Sequence, residues 1–135
     1  MQFKLSADAG NSSGQNGLGV CYENGEGVEV DLEKAIQLYQ KSPEAGNSKA
    51  QNNLADCYEN GKGIKVDLKK AIQLYQKSAE AGNSDALVNL ALCYEDGKAV
   101  EVDLEKAFQL YQKSAEAGNS NAQVKLGYCY SNGKG

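Results

Sequence analysis

Four cysteines stand at Cys21, Cys57, Cys93 and Cys129, each 36 residues after the last. Thiols can ligate zinc, close disulfides or act as nucleophiles, and each role needs partners. A zinc site wants about four ligands, but the chain has no histidine and no second cysteine close in sequence to any of the four. A disulfide needs Cα atoms within about 7 Å, and equivalent positions on stacked helical units would lie ~8–10 Å apart. The pattern therefore points to small buried hydrophobes, the usual role of a free cysteine. A reactive thiol and a metal ligand stay as alternatives, and no cofactor is expected.

Two other patterns suggest chemistry. Gly61-Lys62-Gly63 and Gly133-Lys134-Gly135 look like pieces of a phosphate loop, but neither lysine is followed by Ser or Thr. Glu26 takes the lysine's place in one copy and Ala99 a glycine's place in another, so a turn is the better reading. Glu95 with Asp96, and Glu101 with Asp103, pair carboxylates as a general acid and base would. No Ser, His or Cys is placed to complete a mechanism, and Asp103 reads as a helix cap. The chain is expected not to be an enzyme.

The elements that carry these residues follow from an internal repeat. Shifting the chain by 36 residues aligns Tyr22, Tyr58, Tyr94 and Tyr130, then Leu18, Leu54, Leu90 and Leu126, and Gly25, Gly61, Gly97 and Gly133. Asp31, Asp67 and Asp103 form another column, as do Ala35, Ala71 and Ala107. Within a unit the apolar spacing is helical: Ala50, Leu54 and Tyr58, then Leu68, Ala71 and Tyr75. Two helices per unit are predicted, helix A over about 49–60 and helix B over about 68–80. Gly61 and Gly63 supply the positive φ that stops helix A, and Asp67 is a natural N-cap for helix B. Ala81-Gly82-Asn83-Ser84 ends helix B and offers Asn or Ser as the next cap. Such short turns make the helices antiparallel. Small residues at Gly19, Ala55, Ala91 and Gly127, facing Ala35, Ala71 and Ala107, allow close helix packing.

The units fall at 10–45, 46–81 and 82–117. Residues 1–9 read as the end of a helix B, with Phe3 in the Tyr39 column, and 118–135 as a partial repeat holding helix A only. Neither end carries a polar cap, which points to a segment of a longer array. Gly14, Gly17 and Gly19 weaken the first helix A, at about 0.5–1 kcal/mol each relative to Ala.

From Ala50 to Gly82 the chain reads Ala-x3-Leu-Ala-x-Cys-Tyr-x2-Gly-x-Gly-Ile-x2-Asp-x3-Ala-x3-Tyr-x3-Ala-x2-Gly. This resembles the Sel-one-like repeat, a relative of the tetratricopeptide repeat, and the resemblance covers nearly the whole chain. It implies an all-α fold, an α/α solenoid of antiparallel helix pairs wound as a right-handed superhelix, with helix A on the concave face and helix B on the convex one. It also implies adaptor or scaffold roles in signalling assemblies and protein quality control. One branch of the family is cysteine-rich, disulfide-bridged and associated with β-lactam binding or hydrolysis. That branch carries a cysteine pair per unit, whereas each unit here has one cysteine and no Ser-x2-Lys motif occurs.

Composition narrows the partners. Fourteen lysines and no arginine stand against 18 acids, with the signs interspersed. Without a basic face or guanidinium forks, nucleic acid is not an expected partner. No apolar run approaches the ~20 residues of a membrane span, and no signal peptide is visible. No membrane insertion and a cytoplasmic location are the expectations.

Near-identical units reveal where the scaffold does not dictate the residue. Three helix A columns vary most: Ser13, Lys49, Asp85 and Asn121; Asn16, Asn52, Val88 and Val124; Val20, Asp56, Leu92 and Tyr128. Spacings of three and four put them on one side, which the resemblance makes the concave face. The groove would be polar at Asn16, Asn52 and Asp56 and apolar at Val88, Leu92, Val124 and Tyr128, fitting a peptide or protein partner with an apolar anchor. Glu23, Glu59 and Glu95 add an acidic column along that face. Two alternatives remain: Val124 and Tyr128 as core left open at a truncated end, and the glutamates as a solvated helix end. A spacer or end-to-end self-associating module is the alternative function, with a hydrolase of the cysteine-rich branch behind it.

Overall fold

A computed structural model describes residues 12–44 and 47–131. The expected remnant of helix B at 1–9 and the last residues, 132–135, lie outside that range. Among the described residues there are seven α-helices and no strand: α1 (Ser12–Asn24), α2 (Leu32–Glu44), α3 (Ser48–Asn60), α4 (Leu68–Glu80), α5 (Ser84–Asp96), α6 (Leu104–Glu116) and α7 (Ser120–Ser131). Odd-numbered helices are the A helices of the repeat and even-numbered ones the B helices.

Local chemistry sets the boundaries. Helix B begins where an aspartate accepts the backbone N–H three residues on: Lys34 to Asp31, Lys70 to Asp67 and Lys106 to Asp103, at 3.0–3.1 Å. Helix A begins the same way on asparagine, with Ala50, Ala86 and Ala122 donating to Asn47, Asn83 and Asn119. Each cap satisfies one of the N–H groups a helix start leaves without a partner. Helix A ends on a left-handed residue, Gly61 at φ 69° and Gly97 at φ 72°, whose N–H bonds back to Cys57 and Cys93. Two residues later the chain needs positive φ again. Gly27 and Gly63 supply it, but Ala99 adopts φ 59° in the third turn. The turn closes when Asp31, Asp67 and Asp103 donate their N–H to the carbonyls of Tyr22, Tyr58 and Tyr94 at 2.9 Å.

The chain divides into two compact units, one through Leu74 and one from Tyr75. In the first, α2 packs against both α1 and α3. Gly19 of α1 lies so near α2 that an added Cβ would sit 2.7 Å from the Tyr39 ring. That close approach keeps α1 helical despite its glycines, because burial against α2 outweighs the local entropic cost. In the second unit α6 packs against α5 and α7 over a core of Val88, Ala91, Ala107, Tyr111, Ala122 and Cys129. Phe108 and Tyr130 meet edge to face there, with centroids 5.6 Å apart. Buried Ser114 donates its hydroxyl to the Ser84 carbonyl at 2.7 Å, tying the end of α6 to the start of α5.

Candidate partner-binding surface

The varied columns of helix A differ sharply in how open they are. Asn16 is 9% exposed, and its side-chain carbonyl accepts from Asn53 Nδ2 of the next A helix at 2.9 Å. Val88 is 8% exposed and sits in a core cluster with Ala122 and Cys129, also of the next A helix. The expectation that this column lies open is therefore not met at either position. Both side chains point sideways, from one A helix to the following one, and packing there removes them from water. Val124, in the same column on α7, is 73% exposed.

Val20, Asp56 and Leu92 are half-buried and Tyr128 is 58% exposed. Leu92 packs its inner side against the second unit's core. Lys49 and Asp85 are exposed, while Asn52 and Glu59 are half-buried. Asp85 also clips successive repeats together, accepting from Asn119 Nδ2 at 2.8 Å.

The acidic column has a role that the sequence reading did not foresee. Glu23 accepts a 2.7 Å hydrogen bond from the hydroxyl of Tyr39, and Glu95 accepts one of the same length from Tyr111. Both tyrosines are buried, so each phenol needs an acceptor. A fixed interval of 16 residues separates donor from acceptor in both cases, and that recurrence was the available signal. Glu23 also meets Lys62 Nζ at 3.3 Å, and the same ammonium reaches Asp56 at 2.9 Å. Asn60 Nδ2 donates to the other Asp56 oxygen at 2.8 Å. The hydrogen bond to Asp56 holds the Lys62 ammonium above its ordinary range, with Glu23 adding to it against a smaller desolvation penalty. Beside the turns, Lys34, Lys70 and Lys106 lie over the rings of Tyr22, Tyr58 and Tyr94 at 5.1–5.5 Å, another contact made between elements.

All four cysteines are free thiols, and Cys57, Cys93 and Cys129 are buried. Burial, reinforced by the neighbouring Glu23 and Asp56 and opposed by Lys62, pushes the Cys57 thiol up to about 12. Because the thiolate is the reactive form, Cys57 is expected to react with a disulfide reagent at pH 8 at least ~100-fold more slowly in the folded chain than in urea. Stopped-flow labelling of a variant keeping only Cys57 checks this. Among the described residues no group of three or more Cys, Asp or Glu is gathered to hold a metal ion, and no helix is long and apolar enough to cross a membrane.

The Sel1 repeat family model matches residues 12–47, 48–83, 84–119 and 120–135. The chain belongs to the Sel1 repeat family. Solved Sel1-type structures share its fold. A Sel1 repeat protein from Oxalobacter formigenes is 35% identical with a TM-score of 0.89, the match covering 97% of this chain and 54% of that one. The c5321 protective antigen of uropathogenic Escherichia coli is also 35% identical with a TM-score of 0.89, over 98% of this chain and 28% of that one. Cysteine-rich protein B of Helicobacter pylori is 25% identical at a TM-score of 0.75, covering 93% and 95% of the two chains. A curated relative, DAP3-binding cell death enhancer 1 of Rattus norvegicus, is 48% identical over 40 residues, which is 30% of this chain and 8% of the relative. The chain thus spans about half the length of the Oxalobacter protein and a small part of the rat one. Sel1 repeat solenoids commonly serve as protein-interaction scaffolds and are typically non-enzymatic.

Proposed function

We propose that this chain is an interaction scaffold that holds a peptide or protein partner against the open side of its A helices. The observation that carries the reading is the column Val20, Asp56, Leu92 and Tyr128. It varies between otherwise near-copied units, and it keeps surface toward solvent where the adjoining column at Asn16 and Val88 is closed. In the second unit Leu92 and Tyr128 offer an apolar anchor point, with Glu95 beside them and Asp85 at the start of α5. In the first, Asp56 and Lys49 offer polar contacts. A rat relative named for binding another protein supports the same class of function. Trp and Arg, two of the three residue types richest in binding energy, are absent, so affinity should be modest per repeat and accumulate over several.

The reading is tested by selecting peptides on the folded chain from a displayed random library and measuring their affinity by calorimetry. The selected peptides should share an apolar anchor, and Leu92→Lys should weaken them at least ~10-fold, or about 1.4 kcal/mol, with unchanged helical circular dichroism. Unaltered affinity in Leu92→Lys and in Tyr128→Ala would remove Leu92 and Tyr128 from the binding surface.

A further inference from the structure

The turns joining helix A to helix B carry a charge pattern for which the helix A surface has no use. Turn 24–34 holds Glu26, Glu29, Asp31 and Glu33 against Lys34, whereas turn 60–70 holds Lys62, Lys65, Lys69 and Lys70 against Asp67. Translation by one repeat thus converts Glu29 into Lys65 and Glu33 into Lys69, on an otherwise copied backbone. The two turns lie side by side in the first unit: the Gly63 backbone is so close to Leu32 that a Cβ would sit 2.8 Å from the Leu32 Cβ. Despite that proximity, none of Glu29, Glu33, Lys65 or Lys69 makes an ion pair among the described residues, whereas Lys62 of the same turn is bridged to Glu23 and Asp56. All four are exposed. Between them each turn shows water a valine, Val30 at 59% and Val66 at 52% exposure.

We infer that this edge pairs with a second copy of the chain about a two-fold axis, with the acidic turn of each copy laid on the basic turn of the other. An isologous contact brings patch i onto patch j and patch j onto patch i at once. Adjacent strips of opposite sign satisfy that requirement with one rotation, and Val30 meets Val66 at the centre of each half. A second copy is the occupant whose charges match both strips without further assumption. The edge is distinct from the helix A face, so this inference stands apart from the proposed function. Two short turns bury less than the ~1,000 Å² of a stable interface, which makes the pairing weak and, being electrostatic, sensitive to salt.

Sedimentation equilibrium of the whole chain at up to about 0.5 mM tests it. Association is expected at about 20 mM salt and should weaken at least ~10-fold at about 0.5 M, where screening acts within ~4 Å. The double variants Lys65→Glu with Lys69→Glu, and Glu29→Lys with Glu33→Lys, should each be monomeric alone, because like strips then face one another. Mixed in equal amounts they should associate, since every strip regains an opposite one. A monomeric wild type at low salt, a double variant that self-associates as tightly as wild type, or a mixture that stays apart would overturn the pairing. Circular dichroism confirms that the variants remain folded, as expected for exposed turn positions.

Discussion

Gly63→Ala is expected to lower stability by about 3 kcal/mol or more, whereas Gly27→Ala, at the equivalent turn position, should cost only about 1 kcal/mol. Both glycines adopt nearly the same backbone, φ 70° and φ 74°. For an alanine the left-handed region costs roughly 1–2 kcal/mol, partly offset by ~0.5–1 kcal/mol from a less flexible unfolded chain. That conformational cost is common to both sites, and the protein already bears it at Ala99. The difference is space. A Cβ on Gly27 meets nothing within 4 Å, but on Gly63 it would lie 2.8–2.9 Å from the Cβ, carbonyl carbon and oxygen of Leu32. Backbone atoms cannot rotate aside, so the turn must move away from the start of α2 and the packing of the first unit loosens. Urea denaturation followed by circular dichroism measures both variants. Equal losses would show that the approach of the turn to Leu32 contributes nothing.

The second large effect is expected at Tyr111. Truncation to Ala removes a ring that is 1% exposed at the centre of the second unit's core and should cost about 4 kcal/mol, most of it lost transfer energy and cavity. Tyr111→Phe isolates the hydroxyl. A hydrogen bond to a charged acceptor contributes about 1.5–3 kcal/mol, and the half-buried position of Glu95 argues for the lower end. The corresponding Tyr39→Phe should cost less, about 1 kcal/mol, because Glu23 keeps the Lys62 ammonium at 3.3 Å. Thermal melts of the three variants give the order directly, and a Tyr39→Phe loss exceeding that of Tyr111→Phe would contradict the role assigned to Lys62. Burial first, then the hydrogen bonds to Glu23 and Glu95, hold both phenols well above their ordinary range. A group whose folded pKa is raised contributes stability that is complete below its unfolded value, about 10 for tyrosine, and is lost as pH rises toward the folded value. Alkaline unfolding should therefore begin above about pH 10, with Tyr39→Phe and Tyr111→Phe each flattening the pH dependence.

The contrast between Asp67 and Asn16 shows how much could be read in advance. Asp67, Asn83, Gly61 and Gly97 act on backbone groups within four residues of themselves, so their caps and stops follow from the order of residues alone. The helices between those stops, their pairing by short turns and the recurrence every 36 residues follow in the same way. A 3.6-residue period also states which side chains share a face of the helix.

That period does not state which neighbour the face meets. Asn16 and Val88 were grouped with an open groove, yet the lateral packing of successive A helices closes over them. Glu23 and Glu95 read in the sequence as an acidic column of the groove or as solvated helix ends, and become acceptors only once the buried Tyr39 and Tyr111 are brought up from the partner helix. The opposed charges of turns 24–34 and 60–70 were likewise in plain view, but Gly63 set against Leu32 is what makes them neighbours. By itself the sequence determined the repeat, the helices and their caps, because those depend on contacts a few residues apart. Only the tertiary structure decided which varied side chains keep surface toward solvent, because exposure depends on the distance and angle at which one helix lies against the next.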